Sequence, residues 1–338
     1  MTDVMRALVI NGPGSAAVTE VEVPVPGEGE VVVDVHRVGI CGTDAELFSG
    51  EQPYFAQGKT SFPLRPGHEW CGVVTAVGPG ADEEWLGVRV TGDTMLGCGR
   101  CHRCRAGRGH VCADRREIGI MGWPGAVADK LPVPAVALHR LPAAVGDTAG
   151  ALVEPGGNAQ RVVVAAQAGP GKRVLVCGPG TIGLLTVAFA VAAGAEVHVL
   201  GVDGQRRELA ERLGASWYWA TDDPPLGTYD AVIDCTNDAS VPAMALSLVE
   251  PGGRLVCIGV SATASRVDSR DLVLGDITAV GILGASAGLG PAIEHYADGR
   301  VVPDALAPVV VGLDRAAEAI AGRISPAPGT KVHIDPRL

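Results

Sequence analysis

The hexapeptide Gly178-Pro179-Gly180-Thr181-Ile182-Gly183 constrains this chain more than any other stretch. It follows the apolar run Val174-Leu175-Val176-Cys177 and opens into Leu184-Leu185-Thr186-Val187-Ala188-Phe189-Ala190. That order predicts strand, tight turn and helix. In such a unit the first glycine permits the turn, the second lets backbone amides approach a pyrophosphate, and the third lets the helix pack closely on the strand. A pyrophosphate placed there rests on the positive end of the helix dipole. A Gly-rich loop with no ligand is the plainer reading in a chain with 47 glycines, but here strand and helix flank the motif on the correct sides.

The wider pattern agrees with a nucleotide fold. From about Val162, strand-like runs at Val174 to Cys177, Val197 to Leu200, Ala231 to Asp234 and Leu255 to Gly259 alternate with helical segments such as Arg206 to Leu213 and Val241 to Glu250. Alternation of this kind is the signature of a doubly wound parallel sheet. The residues before it read differently. Val21-Glu22-Val23 and Val31-Val32-Val33-Asp34-Val35-His36, broken by Pro and Gly, predict antiparallel strands, as do Gly72 to Gly78 and Val88 to Val90. The first part of the chain is therefore expected to be a β-rich, barrel-like domain. After Pro291 come helices around Ala292 to Ala297 and Asp314 to Ala321 and a strand at Lys331 to Ile334, a tail that could close either domain.

A length of 338 residues favours two domains over one core. With 47% hydrophobic and 19% charged residues the chain is globular rather than disordered. A formal net charge of -11 gives nucleic acid no basic field, so a small-molecule partner is expected. Met1 to Ile10 runs directly into a strand without signal-peptide features, and no stretch reads as a membrane span. The expectation is a soluble cytoplasmic protein. Nine cysteines, an odd and clustered set, favour metal binding over disulfides.

The most specific local signal is Cys98-x-x-Cys101-x-x-Cys104 followed by Cys112. Four thiolates close a tetrahedral structural zinc site with no vacant position, pinning a loop that lacks its own core. A catalytic zinc needs three protein ligands and an open position. Candidates are Cys41 in Gly39-Ile40-Cys41-Gly42-Thr43-Asp44, His68 and Glu69 in Pro66-Gly67-His68-Glu69-Trp70, and Glu154 in Leu152-Val153-Glu154-Pro155-Gly156. Spacing alone does not join these segments. Singly, Cys41 reads equally as a buried small residue, His68 as a loop histidine and Glu154 as a helix N-terminal charge.

Together with the glycine turn and the closing Lys331-Val332-His333-Ile334-Asp335-Pro336, these segments resemble the zinc-containing medium-chain dehydrogenases, the alcohol, sorbitol, glucose and cyclitol dehydrogenase superfamily, in the family's order over essentially the full length. The resemblance implies an α/β architecture: a GroES-like catalytic domain at 1–155 completed by 293–338, and a Rossmann dinucleotide-binding domain at 156–292. It implies Cys41 and His68 as catalytic zinc ligands and Glu154 as the third, with Glu69 as an alternative direct ligand. It further implies Asp44 as the carboxylate orienting the ligand histidine and Thr43 as the hydroxyl that takes the substrate proton. Where the family often has a relay histidine, this chain has Glu46.

The implied cofactors are two Zn2+ per chain and NAD(H) or NADP(H). The implied partners are a small alcohol or polyol substrate and a second copy of the chain, as homodimer or homotetramer, with neither nucleic acid nor membrane. The implied activity is hydride transfer from a polyol, sugar or aminocyclitol, with Tyr54, Phe55, Trp123 and Glu46 as candidate pocket residues; the alternatives are a secondary-alcohol or threonine-type dehydrogenase and a non-catalytic NAD(H)-binding relative. Cofactor choice turns on the end of the second Rossmann strand. The family's acidic position falls on Gly201, while Asp203 stands two residues on and Arg206 opens the following helix, so the turn predicts a dinucleotide with NAD(H) weakly preferred.

Overall fold

The computed structural model describes residues 3–223, 225, 227–324 and 326–338. The chain divides into two compact units. Unit 1 holds residues 1–154, 292–298 and 303–338; unit 2 holds 155–291 and 299–302.

Unit 1 is built on a seven-stranded sheet. Along it run Leu138–Arg140, Arg89–Gly92, Glu69–Val77, Glu30–Gly39, Val332–Asp335 and Val309–Gly312, with Lys130–Pro134 also paired to Glu30–Gly39. Strand Glu30–Gly39 therefore has three neighbours, and its valines at 31, 32, 33, 35 and 38 are all at most 2% exposed. A strand covered on both faces reads as a continuous apolar run rather than an alternating one, which explains Val31-Val32-Val33. Bulges between Val32 and Val33 and between Val35 and Arg37 bend it against Glu69–Val77. The core beneath packs Leu8, Ile10, Leu47, Trp70 and Leu131 with Leu313 and Ile334 of the tail.

The tail thus joins unit 1. Val332–Asp335 pairs antiparallel with Glu30–Gly39, His333 opposite Gly39, and parallel with Val309–Gly312. Polar contacts fasten its end: the Arg337 guanidinium donates to Asp335 at 2.6 Å and to Asp147 at 3.1 Å.

Unit 2 is a six-stranded parallel sheet in the order Trp217–Ala220, Glu196–Gly201, Arg173–Cys177, Tyr229–Asp234, Val249–Cys257, Thr278–Gly281. The order reverses beside Arg173–Cys177, the switch point where such sheets bind ligands. Helices Thr181–Ala192, Arg207–Arg212, Val241–Ser247 and Ser269–Leu274 supply the crossovers. Two edge strands, Trp217–Ala220 and Thr278–Gly281, go beyond the four expected. The expected helix to Glu250 also ends early: it stops at Ser247, and Val249 already pairs with Tyr229. Pro251 has no N–H for a helix and Gly252 sits at φ 80°, so the chain turns into a strand instead. Among the described residues no helix is long and apolar enough to cross a membrane.

Burial opposes ionisation of Asp335 and Asp147, yet contacts to arginine outweigh it and hold both carboxyls below their usual range: chiefly Arg337 for Asp335, and Arg89 with His36 and Arg337 for Asp147. A depressed carboxyl stabilises the fold above its unfolded pKa and loses that contribution as pH falls through the folded value. Because the Arg337 side chain is 46% exposed, Arg337→Gln is expected to cost only about 1 kcal/mol near neutral pH. In urea unfolding the difference from the native chain should begin to narrow below about pH 4 and close as the pH falls through the depressed values of both carboxyls. A gap that persists to pH 2 would show that these pairs are not its source.

Candidate functional site

The strongest cluster forms where the end of strand Glu30–Gly39 meets the start of strand Glu69–Val77. Ligand atoms of Cys41, His68 and Glu69 all lie within 4.8 Å of one another. Cys41 precedes the helix Gly42–Ser49, and fully buried Asp44 fixes that corner. One Asp44 oxygen accepts from the Cys41 N–H at 2.8 Å, and the other accepts from the Gly67 N–H at 3.1 Å and faces His68 Nδ1 at 3.6 Å. A single carboxylate thus sets both the cysteine and the histidine segments. Burial works against a charged His68, but Asp44 and Cys41 outweigh it and raise its proton affinity well above the usual value. A site that draws a proton onto an imidazole beside a thiol and two carboxylates is chemically suited to a cation, and soft S with N and O donors suits zinc.

Glu69 occupies its place because Gly39 has no side chain. The two are paired across the strands, and a Cβ on Gly39 would stand 2.4 Å from Glu69 Oε2. The carboxylate also accepts a hydrogen bond from the buried Lys331 ammonium, which comes from the tail. Burial lowers the proton affinity of Lys331, but Glu69 outweighs that and the lysine's pKa is raised. Next to them His333 is fully buried, and burial followed by the charges of Lys331 and Arg37 keeps its ring neutral. The Lys331 contact was not foreseen from sequence, although a lone lysine ahead of the apolar Val332-His333-Ile334 is the kind of signal that invites a search for a buried partner.

Glu154 lies in the first turn of helix Val153–Ala166, buried, and is not part of the 4.8 Å group. Thr43 sits in the first turn of helix Gly42–Ser49 beside Cys41. Glu46, farther along that helix, accepts from Gln52 Nε2 at 3.0 Å; partial burial and then Glu51 raise its pKa. The aromatic candidates are engaged within unit 1. The Tyr54 hydroxyl bridges Glu117 at 3.1 Å and Arg115 at 3.0 Å, Phe55 stacks on Phe62 at 4.5 Å between ring centroids, and Trp123 Nε1 donates to Pro132 O at 2.8 Å.

The second cluster gathers Cys98, Cys101, Cys104 and Cys112. Four sulfurs each about 2.3 Å from a tetrahedral centre lie about 3.8 Å apart. Cys98 and Cys104 are 4.0 Å apart and Cys101 and Cys112 are 3.7 Å apart, so the donors fit a closed zinc site. Backbone N–H groups of Arg100 and Cys101 push the Cys98 thiol down to about 6, toward the thiolate that binds metal.

In unit 2 the glycine turn divides its labour among three positions. Gly178 adopts φ 90°; a Cβ on Gly183 would meet the Gly178 carbonyl at 2.0 Å; at Gly180 a Cβ would meet nothing within 4 Å, leaving the backbone ahead of Thr181 and Ile182 open to approach. At the end of the second strand the Tyr218 hydroxyl lies 1.9 Å from where a Gly201 Cβ would stand and donates to the Asp203 carbonyl at 2.8 Å. The tyrosine fills the space an acidic side chain at position 201 would use. Asp203 is exposed, its carboxylate held by the Gln205 N–H at 3.0 Å, and Arg206 caps the next helix.

Two families match along the chain: the alcohol dehydrogenase GroES-like domain over residues 27–143 and the zinc-binding dehydrogenase domain over 181–297. The L-threonine 3-dehydrogenase of Saccharopolyspora erythraea is 35% identical over 83% of this chain and 84% of its own. The starvation-sensing protein RspB of Escherichia coli K12 is 32% identical over 78% of this chain and 79% of its own. Among solved structures, a Sinorhizobium meliloti 1021 chain assigned to the zinc-binding dehydrogenases and bound to NADP superposes with a TM-score of 0.91, at 30% identity over 99% of this chain and 100% of that one. Alcohol dehydrogenase TADH from a Thermus species has a TM-score of 0.89 at 27% identity, over 98% of this chain and 99% of that one. With the GroES-like and Rossmann architectures, these matches mean that the chain belongs to the medium-chain dehydrogenase superfamily of zinc-binding oxidoreductases.

Proposed function

We propose that this chain is a zinc-dependent nicotinamide dehydrogenase that oxidises a secondary hydroxyl of a polyol, sugar or aminocyclitol. The observation that carries the reading is the Cys41, His68 and Glu69 group, three donors of mixed type within 4.8 Å beside the buried Asp44. Cys41 and His68 hold the catalytic zinc, and Asp44 fixes the orientation of both. Glu69 is shared with Lys331, so its remaining lone pairs are its offer to the metal, and Glu154 is the further carboxylate assigned to the site. Bound there, zinc supplies Lewis acidity toward the substrate oxygen. Thr43 is the hydroxyl placed beside Cys41 to take the substrate proton, and Gly178, Gly180 and Gly183 would hold the pyrophosphate of a dinucleotide whose nicotinamide would supply the hydride acceptor. The four cysteines of the second cluster hold a structural zinc and do no chemistry.

A threonine-type substrate is the second reading, favoured by the several relatives of 29% to 35% identity that carry the name L-threonine 3-dehydrogenase. NAD(H) is preferred over NADP(H), because exposed Asp203 repels a 2′-phosphate even though Gly201 does not. The nine unpaired cysteines suit a cytoplasmic enzyme, and a homodimer or homotetramer is the assembly that the family resemblance suggests.

His68→Ala is expected to lower kcat/KM by about a thousandfold or more, the several kcal/mol a Lewis-acid metal contributes, while NADH still binds by fluorescence titration. Metal analysis should return two zincs for the native chain and one for this variant; full activity in His68→Ala would sink the assignment. Cys112→Ser should also leave one zinc. Its unfolding temperature should fall, because a metal present at a thousandfold its Kd stabilises by about 4 kcal/mol; unchanged zinc content would remove the structural site. A panel of polyols, inositols, aldoses, L-threonine and butanediols with both cofactors should favour the cyclic and linear polyols with NAD. Asp203→Ala should then narrow the NAD preference about fivefold, the ~1 kcal/mol of one exposed charge contact. A native preference for NADP, or for threonine over every polyol, would overturn the corresponding choice.

A further inference from the structure

Three residues before His68, Arg65 enters the wall of a cavity whose lining includes none of Cys41, His68 and Glu69. The cavity measures about 590 Å³ and is lined from two sides of unit 1, by the stretch Lys59 to Arg65 and by Gly119 to Pro124, with Val9 and Val21 at its edge. The size is within the range of small-molecule sites. Its charge is unusual for a chain of formal net charge -11. Two cations, Lys59 and Arg65, line it, and no carboxylate does.

Arg65 differs from the arginines of unit 1 that are held in ion pairs. Arg6, Arg37, Arg89, Arg115 and Arg337 each pair with an aspartate or glutamate. Arg65 has no such partner, and its Nε is buried without a hydrogen bond. Burial alone pushes its pKa down to about 10, with no neighbouring charge to oppose the effect. A half-buried guanidinium without a counter-charge is costly to keep, and a ligand entering the cavity can supply the missing charge. The backbone around it is not loose: the Gly125 N–H donates to the Arg65 carbonyl at 2.9 Å and the Val127 N–H to Pro66 at 3.1 Å, so the guanidinium stem is anchored at a fixed place. Thr60 and Ser61 also line the cavity, as do the apolar Ile120, Met121 and Trp123.

We propose that this cavity binds the carboxylate or phosphate group of a small organic anion, with Arg65 as its principal counter-charge and Lys59, Thr60 and Ser61 as supporting donors. The planar fork of arginine accepts either oxyanion through two parallel hydrogen bonds, and the carbon body of the ligand covers Ile120, Met121 and Trp123. None of these residues belongs to the zinc or dinucleotide groups, and Trp123 is the lining residue shared with the candidate substrate pocket.

The test is isothermal titration of the zinc-loaded native chain with inorganic phosphate and with succinate, against sodium chloride at matched ionic strength, repeated on Arg65→Gln and Arg65→Met. The expected result is saturable binding of at least one anion beyond the chloride control, weakened about tenfold or more in both variants. A response to phosphate alone identifies a phosphate monoester as the ligand class, and a response to succinate alone a carboxylate. Ligand-free Arg65→Met should melt no lower than the native chain, because it removes an uncompensated charge. Absence of binding above chloride, or binding that survives both substitutions undiminished, overturns the proposal, as does a substantially lower melting temperature of ligand-free Arg65→Met, which would make Arg65 a structural strut.

Discussion

The ion pair between Lys331 and Glu69 is the interaction on which the candidate metal centre depends. Both side chains are almost completely buried, at 6% and 2% exposure, and neither charge could be kept there alone. Removing one partner of a buried pair leaves the other uncompensated at a cost of about 3–5 kcal/mol. The pair therefore locks the tail of the chain onto the strand that begins with Glu69. It also fixes where that carboxylate points, one residue from His68. The room for it comes from Gly39, whose missing side chain is a packing requirement rather than a matter of backbone freedom.

Asp44 extends the same economy. A buried carboxylate needs several donors, and this one takes them from the backbone of two separate segments, at Cys41 and Gly67. Since Cys41 and His68 are the residues those segments present, satisfying Asp44 and assembling the donors are one event. The cysteine lobe is organised in the opposite way. Its four sulfurs come from one short stretch with little apolar content, gathered where a metal would replace the core that the stretch cannot build.

How much of this could be read from the sequence depended on distance along the chain. The glycine turn and the four cysteines were legible because their geometry is local: each glycine's role and each cysteine's spacing lie within one turn or loop. The alternation that predicts the parallel sheet was legible for its inner strands, whose apolar runs are unambiguous. The edge strand Trp217–Ala220 was not, because a half-exposed Trp-Tyr-Trp run carries no clear period. Lys331 lay out of reach for a stronger reason. It meets Glu69 across 262 residues, and no pattern in either segment names the other. The family resemblance supplied the return of the tail to unit 1, but not which side chain would face Glu69.

The end of the second Rossmann strand shows how a substitution is understood only with its neighbour. Read along the chain, Gly201 is a lost acidic residue, and the loss favours a 2′-phosphate. In the folded sheet Gly201 lies across from Ala220 on the adjacent strand, and the hydroxyl of Tyr218 fills the vacated volume and ties down the carbonyl of Asp203. An acidic side chain at 201 would collide with Tyr218 as it stands. The negative charge in this region is carried instead by Asp203 on the exposed turn, with its carboxylate set by the Gln205 amide. A carboxylate placed on a turn contacts more water than one at a strand end, and its field is correspondingly more screened.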